Sequence, residues 1–247
     1  MKLLLPVLAS LLLAPQAARA QATTLTQQGL AAQNNLNDLV KGLPTVLPRG
    51  ESEGTLGSPY ADDRWLPARL DLLNGRPLAP VPVKYDVLEH RLLMRTVERP
   101  TESLQLDDQR VRGFVLEEPA TARGPARPRV FRRFLEAPLA TQRTDYVEVL
   151  HEGRYALLKH YRKTLRRADY QGAYSSGQRS DEIEDHTTYY LLAPGGAPQP
   201  LKLALRPLQA TAPPLATALK AAAAAQRPQT EADWAAVLRT ADPAPAK

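Results

Sequence analysis

The densest group of potential ligand atoms in the chain is Asp181-Glu182-Ile183-Glu184-Asp185-His186, whose closely spaced carboxylates offer the oxygens that calcium requires. The EF-hand spacing is absent, because no glycine stands where that loop must turn. Asp181, Glu182, Glu184, Asp185 and His186 are therefore read first as a solvated acidic turn facing a basic hairpin, and as metal ligands only second. None of the four histidines, His90, His151, His160 and His186, sits in an HExxH or other tight ligand spacing. A zinc site needs the fold to bring His151 and His160 to His186. Asp145, Glu148 and Glu152 offer a carboxylate set for glycoside cleavage, but three acids within eight residues are common in any exported chain. No G-x-S-x-G motif, no phosphate-binding glycine loop and no cysteine is present, and Ser175-Ser176-Gly177 lies in a polar stretch without a base nearby in sequence. The sequence nominates no catalytic residue and no cofactor.

Basic side chains cluster more clearly. Arg154, Lys159, Arg162, Lys163, Arg166 and Arg167 fall within one expected hairpin and are the contact region that the sequence favours. The formal charge of +6 includes Lys2 and Arg19, and their removal with a signal segment takes it to +4. An exported basic chain meets anionic lipid, polysaccharide or an envelope protein rather than nucleic acid.

Export is itself read from the first twenty residues. Lys2 precedes an apolar run from Leu3 to Ala14, and Ala18-Arg19-Ala20 supplies small residues for cleavage after Ala20. That run is shorter than the roughly twenty residues of a membrane span, and no later stretch reaches that length. Residues 21–59 read as a segment of low order, with a short helix at Asn35 to Lys41, and 242–247 as a disordered tail. Between them, 60–241 is expected to be a single domain.

That domain begins with strands. Leu70 and Leu72 alternate with Arg69 and Asp71 and run into an Asn74-Gly75 turn; Val81, Val83, Tyr85 and Val87 then alternate with Pro82, Lys84 and Asp86. Leu88 to His90 turn the chain into a second strand through Leu92 and Met94. Short strands are expected at Ser103 to Leu106, Val111 to Glu117, Val130 to Leu135 and Thr187 to Leu192, with a loop at Thr121 to Pro128. A hairpin is expected from Tyr146 to Leu165 about Glu152-Gly153, with Tyr155, Leu157, Tyr161 and Leu165 on one side. Pro213-Pro214 starts an alanine-rich helix, and Thr230 with Asp233 forms a capping box before Trp234, Val237 and Leu238. Strands first and helices last imply an α+β domain: a curved antiparallel sheet of about eight strands, a meander or half-barrel, with C-terminal helices packed on it. A cavity in such a sheet is expected to be lined by Val83, Tyr85, Met94 and Tyr155.

At Gly57-Ser58-Pro59-Tyr60, Trp65, Asn74-Gly75, Pro82-Val83-Lys84-Tyr85-Asp86 and the Asp145 to Gly153 run, the chain resembles a group of exported bacterial proteins with no established activity. The resemblance implies a β-rich periplasmic or surface protein and adds no catalytic residue. At the level of architecture the chain is also similar to the half-barrel lipoprotein carriers of the bacterial envelope. Three functions are thus expected in order: a non-enzymatic module that binds an envelope partner, a carrier of an apolar ligand, and a metal-assisted hydrolase using His151, His160 or His186.

Overall fold

The computed structural model describes residues 55–76, 78–95, 103–121, 124–168 and 180–243. The expected signal segment, the helix at Asn35 to Lys41 and most of the 21–59 segment lie outside them. Among the described residues, twelve strands and three α-helices form an α+β fold. The strands are β1 (Leu66–Leu72), β2 (Val81–Asp86), β3 (Arg91–Met94), β4 (Leu104–Gln105), β5 (Val111–Glu118), β6 (Arg127–Arg133), β7 (Tyr146–Glu152), β8 (Ala156–His160), β9 (Lys163–Arg166), β10 (Glu182–Asp185), β11 (Thr188–Leu192) and β12 (Gln199–Leu201). The helices are α1 (Leu205–Thr211), α2 (Ala216–Gln226) and α3 (Glu231–Ala241).

Ten strands form one open antiparallel sheet in the order β12-β11-β8-β7-β6-β5-β1-β2-β3-β4, and β9 pairs with β10 in a separate ribbon. The order departs from a meander at two places: β11 pairs with β8 because β9 and β10 leave the sheet between them, and β5 returns beside β1 instead of following β4. β1 explains the second departure. Its alternation of buried and exposed residues is complete, but it pairs with β2 only from Leu66 to Ala68, where Pro67 and Pro82 face each other and neither has an N–H to donate. From Ala68 to Leu72 its partner is β5. Asn74-Gly75 therefore makes a local turn, with Gly75 at φ +66° and its N–H on the Leu72 carbonyl at 3.0 Å, inside a longer connection rather than at the tip of a tight hairpin.

The sheet is strongly curled. In a flat sheet β2 and β7, four positions apart, would lie about 19 Å from each other at the usual strand spacing. Here the Tyr146 N–H donates to the Tyr85 hydroxyl at 3.3 Å, and the two rings meet edge to face at 5.5 Å. Phe114 stacks on Phe131 at 4.7 Å beside them. His90, on the β2–β3 turn, closes the curl by an ion pair to Asp145 at 2.8 Å, and buried His160 holds the other Asp145 oxygen at 2.9 Å. One end of the concave face is thus filled by the sheet's own side chains. At the other end Tyr155, Leu157 and Leu191 pack under Leu208, Leu219, Val237 and Leu238 of the helices. A smaller cluster of Phe134, Val147, Leu158 and Tyr190 forms a third packed group.

Several expectations change in detail. Val83, Tyr85 and Met94 are buried in the curled end and Tyr155 under the helices, so the four are core in two different clusters and line no common cavity. The loop expected at Thr121 to Pro128 gives way to β6 at Arg127. The hairpin about Gly153 is present but ends at His160, and a register shift between Val149 and His151 alters which side chains share a face. Leu165 consequently lies on β9, exposed, while Tyr161 joins the aromatic cluster. Asp242, placed in the tail from sequence, is buried: its carboxylate accepts the Tyr155 N–H at 2.7 Å and lies 3.4 Å from His151 Nε2. The capping box at Thr230 and Asp233 is formed as expected. No helix among the described residues is long and apolar enough to cross a membrane.

Candidate functional site

Between the two apolar clusters the concave face becomes polar. Strand register dictates the arrangement: Glu148 on β7 stands opposite Phe131 on β6 and Lys159 on β8, and Lys159 stands opposite Tyr189 on β11. Arg129, two residues before Phe131 on β6, points the same way. Its buried guanidinium donates from Nε and Nη2 to the two oxygens of Glu148, both at 2.9 Å, from Nη2 to the Tyr161 hydroxyl at 2.8 Å and from Nη1 to Asp62 at 2.8 Å. Tyr161 donates in turn to Glu148 at 2.5 Å. A buried charge pair survives only with such saturation, because each ion has lost its water.

A second layer is more open. Glu231, the first residue of α3, takes Lys159 at 2.7 Å and the Tyr189 hydroxyl at 2.6 Å, which ties the helix to the sheet. The Lys159 ammonium sits 4.7 Å from the centre of the Tyr161 ring and 5.9 Å from that of Tyr189. Glu118 bridges Arg64 and Arg127, each at 2.7 Å. Ala61, Arg127, Arg129, Lys159, Tyr161, Asp185, Thr187, Tyr189 and Glu231 enclose an open cleft of about 640 Å³.

The electrostatics favour permanent ionisation. Burial pushes the Glu148 carboxyl up, but the Arg129 bonds and charge outweigh it and hold the group below its usual range. Asp62 follows the same pattern, with Arg64 as the main counterweight. Burial, then the neighbouring charge of Glu148, raises Tyr161; burial, then the bond to Glu231, raises Tyr189. A carboxylate held ionised is no general acid, and a phenol held protonated is no base near neutrality.

The other sequence candidates scatter. Of the basic set, Lys159 lies in the cleft, Lys163 pairs with Asp185 at 3.5 Å, and Arg166 pairs with Glu182 and Glu184 across the β9–β10 ribbon. Arg154 is exposed at the far β7–β8 turn, and Arg162 and Arg167 are exposed near the ribbon. The acidic run thus faces the basic strand, as the first reading of it expected, and pairs off the charges of Lys163 and Arg166. Asp181 accepts the Ala168 N–H at 2.7 Å, and His186 meets Thr164 at 2.9 Å. His151 and His160 are buried with Asp242 and Asp145, so the histidines do not converge, and among the described residues no three His, Asp or Glu side chains gather as metal ligands. Asp145, Glu148 and Glu152 likewise separate: Asp145 lies between His90 and His160, Glu148 is buried beneath the cleft and Glu152 is at an exposed strand end.

Sequence reasoning missed Arg129, Asp62 and Glu231 as site residues. For Arg129 a signal existed: it stands two residues from Phe131 and so on the same face, but the strand was expected to start at Val130, three residues after its actual start at Arg127. Compared with models of protein families, with curated proteins and with solved structures, the chain finds no match, so its function is argued from the cleft itself.

Proposed function

We propose that the protein is an exported, non-enzymatic binding module of the cell envelope, and that the concave cleft is its contact site. Export rests on the Lys2 to Ala20 segment. The observation that carries the binding reading is that Arg129, Lys159 and Tyr189, with Glu231 above them, line open space over the buried Glu148, where both ends of the same concave face are packed core. Buried and half-buried charge is costly, and its retention at a cleft favours recognition. The cleft supports this better than the β9–β10 ribbon does, since the cleft encloses space for a ligand and the paired charges of Arg166 with Glu182 and Glu184 lie on an exposed strand face. An apolar carrier loses its support with the burial of Val83, Tyr85, Met94 and Tyr155 in core.

Native mass spectrometry of protein purified gently from its own envelope tests the proposal, with Arg127→Ala/Tyr189→Phe beside the wild type. The variant is expected to fold normally and lose a retained polar ligand or partner. If it keeps everything the wild type keeps, while reversal of Arg162, Lys163, Arg166 and Arg167 abolishes retention, the contact lies on the ribbon and the proposal is wrong.

A further inference from the structure

We infer that the cleft takes a net-neutral, hydroxyl-rich ligand, a stretch of uncharged polysaccharide, rather than an anionic head group or an acidic polymer; the inference rests on the cleft being the contact site. The lining side chains Arg127, Arg129, Lys159, Asp185 and Glu231 carry one excess positive charge, which the ion-pair network behind them, Arg64 and Lys163 with Asp62, Glu118 and Glu148, offsets. They cancel one for one, and every member lies within an ion pair. An anionic ligand meets no uncompensated base: each cation is already neutralised by a carboxylate nearby, so the ligand's own charge gains little net attraction and is desolvated close to like charges.

A hydroxyl makes no such demand. It donates and accepts at once, so it adds to the spare capacity of groups that remain paired. Lys159 has three N–H donors, of which the ion pair to Glu231 at 2.7 Å requires one. Arg127 bonds Glu118 through Nε at 2.7 Å, and its guanidinium carries two further nitrogens. The Tyr189 hydroxyl spends its proton on Glu231 and keeps its lone pairs as acceptors. Adjacent donors and acceptors on neighbouring side chains match neighbouring sugar hydroxyls, and the half-buried ring of Tyr189 suits the C–H face of a sugar ring. A volume of about 640 Å³ lies within the range of ligand sites, and the polar lining disfavours an acyl chain.

Amide-resolved NMR titration of the full chain provides the test, with maltotetraose and chitotetraose as neutral probes, a tetragalacturonate as acidic probe and phosphatidylglycerol vesicles as the lipid probe. At least one neutral sugar is expected to shift the amides of β8, β11 and the start of α3. Its affinity should change less than about twofold between roughly 50 and 300 mM salt, as an uncharged ligand requires. Arg127→Ala/Tyr189→Phe should weaken it about tenfold, the loss of one or two good hydrogen bonds. If neither neutral sugar moves these amides, or if the acidic probe or the vesicles bind there more tightly, the inference is overturned. The cleft reading is judged separately: material stripped from the native protein still shifts the same amides if the site is right and only the ligand class is wrong.

Discussion

At the scale of single residues the protein turns on Arg129. Its guanidinium is the counter-ion of a carboxylate that burial alone would neutralise, and it does so in the bidentate geometry that gives the strongest pairs. Arg129→Met should leave Glu148 buried and unpaired and cost about 3–5 kcal/mol, read from urea denaturation. A double change, Arg129→Met with Glu148→Leu, should recover most of that loss; recovery of none would mean that the arginine stabilises through something other than the pair. The pH dependence has a definite sign. Glu148 and Asp62 have folded values below their unfolded ones, so their stabilisation is present above the ordinary carboxylate range near 4 and is lost as pH falls through the lower folded values. Arg129→Met should flatten that acid limb in a series of melts. Little of this was legible in sequence, because Arg127, Arg129, Arg132 and Arg133 are alike as letters and differ only in the face that β6 gives them.

Among the elements, the junction of the β7–β8 turn with the end of α3 is the most exacting. A Cβ on Gly153 would lie 2.6 Å from the Asp242 carboxylate and 2.8 Å from His151 Nε2, so the turn admits no side chain while Asp242 holds the Tyr155 N–H. Gly153→Ala is expected to destabilise by roughly 1–3 kcal/mol, the usual cost of overpacking, with the lost protection concentrated in α3 on hydrogen exchange. Burial pushes His151 below its ordinary value, and Asp242 only partly compensates. The unfolded chain therefore binds the proton first, and stability should fall as pH drops below about 6.5 toward the folded value. His151→Gln should remove that slope in a melting series between pH 7 and 5; an unchanged slope would falsify the assignment. The elements themselves were largely readable. The alternation in β1 and β2, the Pro213-Pro214 start and the Thr230 cap are local patterns and need no tertiary information. The end of the hairpin at His160 was not, because apolar residues continue to recur at Tyr161 and, on β9, at Leu165, although β9 leaves the sheet to pair with β10.

For the molecule as a whole, the curl depends on the clasp between the β2–β3 turn and the start of β7. His90 is raised by its bond to Asp145, with Asp86 and Glu89 adding to the effect and burial opposing it. Asp145 is lowered by His160 and His90 against its own burial. A raised histidine stabilises fully below its unfolded value near 6.5 and ceases to as pH rises through its folded value, opposite in sign to His151. His90→Ala should speed exchange at the Tyr146 amide and along β2 and β3 at pH 6 and do so less at pH 8; equal effects at both would show that charge plays no part in the clasp. Which properties followed from sequence alone can now be separated. Period, turn chemistry and the order of strands before helices determined an α+β chain with an antiparallel sheet and helical cover, since these arise from neighbours along the backbone. The return of β5 to β1, the curl that joins Tyr85 to Tyr146, and the meeting of Asp62, Arg129, Glu148, Lys159, Tyr189 and Glu231 were decided only by the tertiary structure. These contacts link residues up to 72 positions apart, as Lys159 to Glu231 does, and separation of that kind carries no local signature for periodicity to reveal.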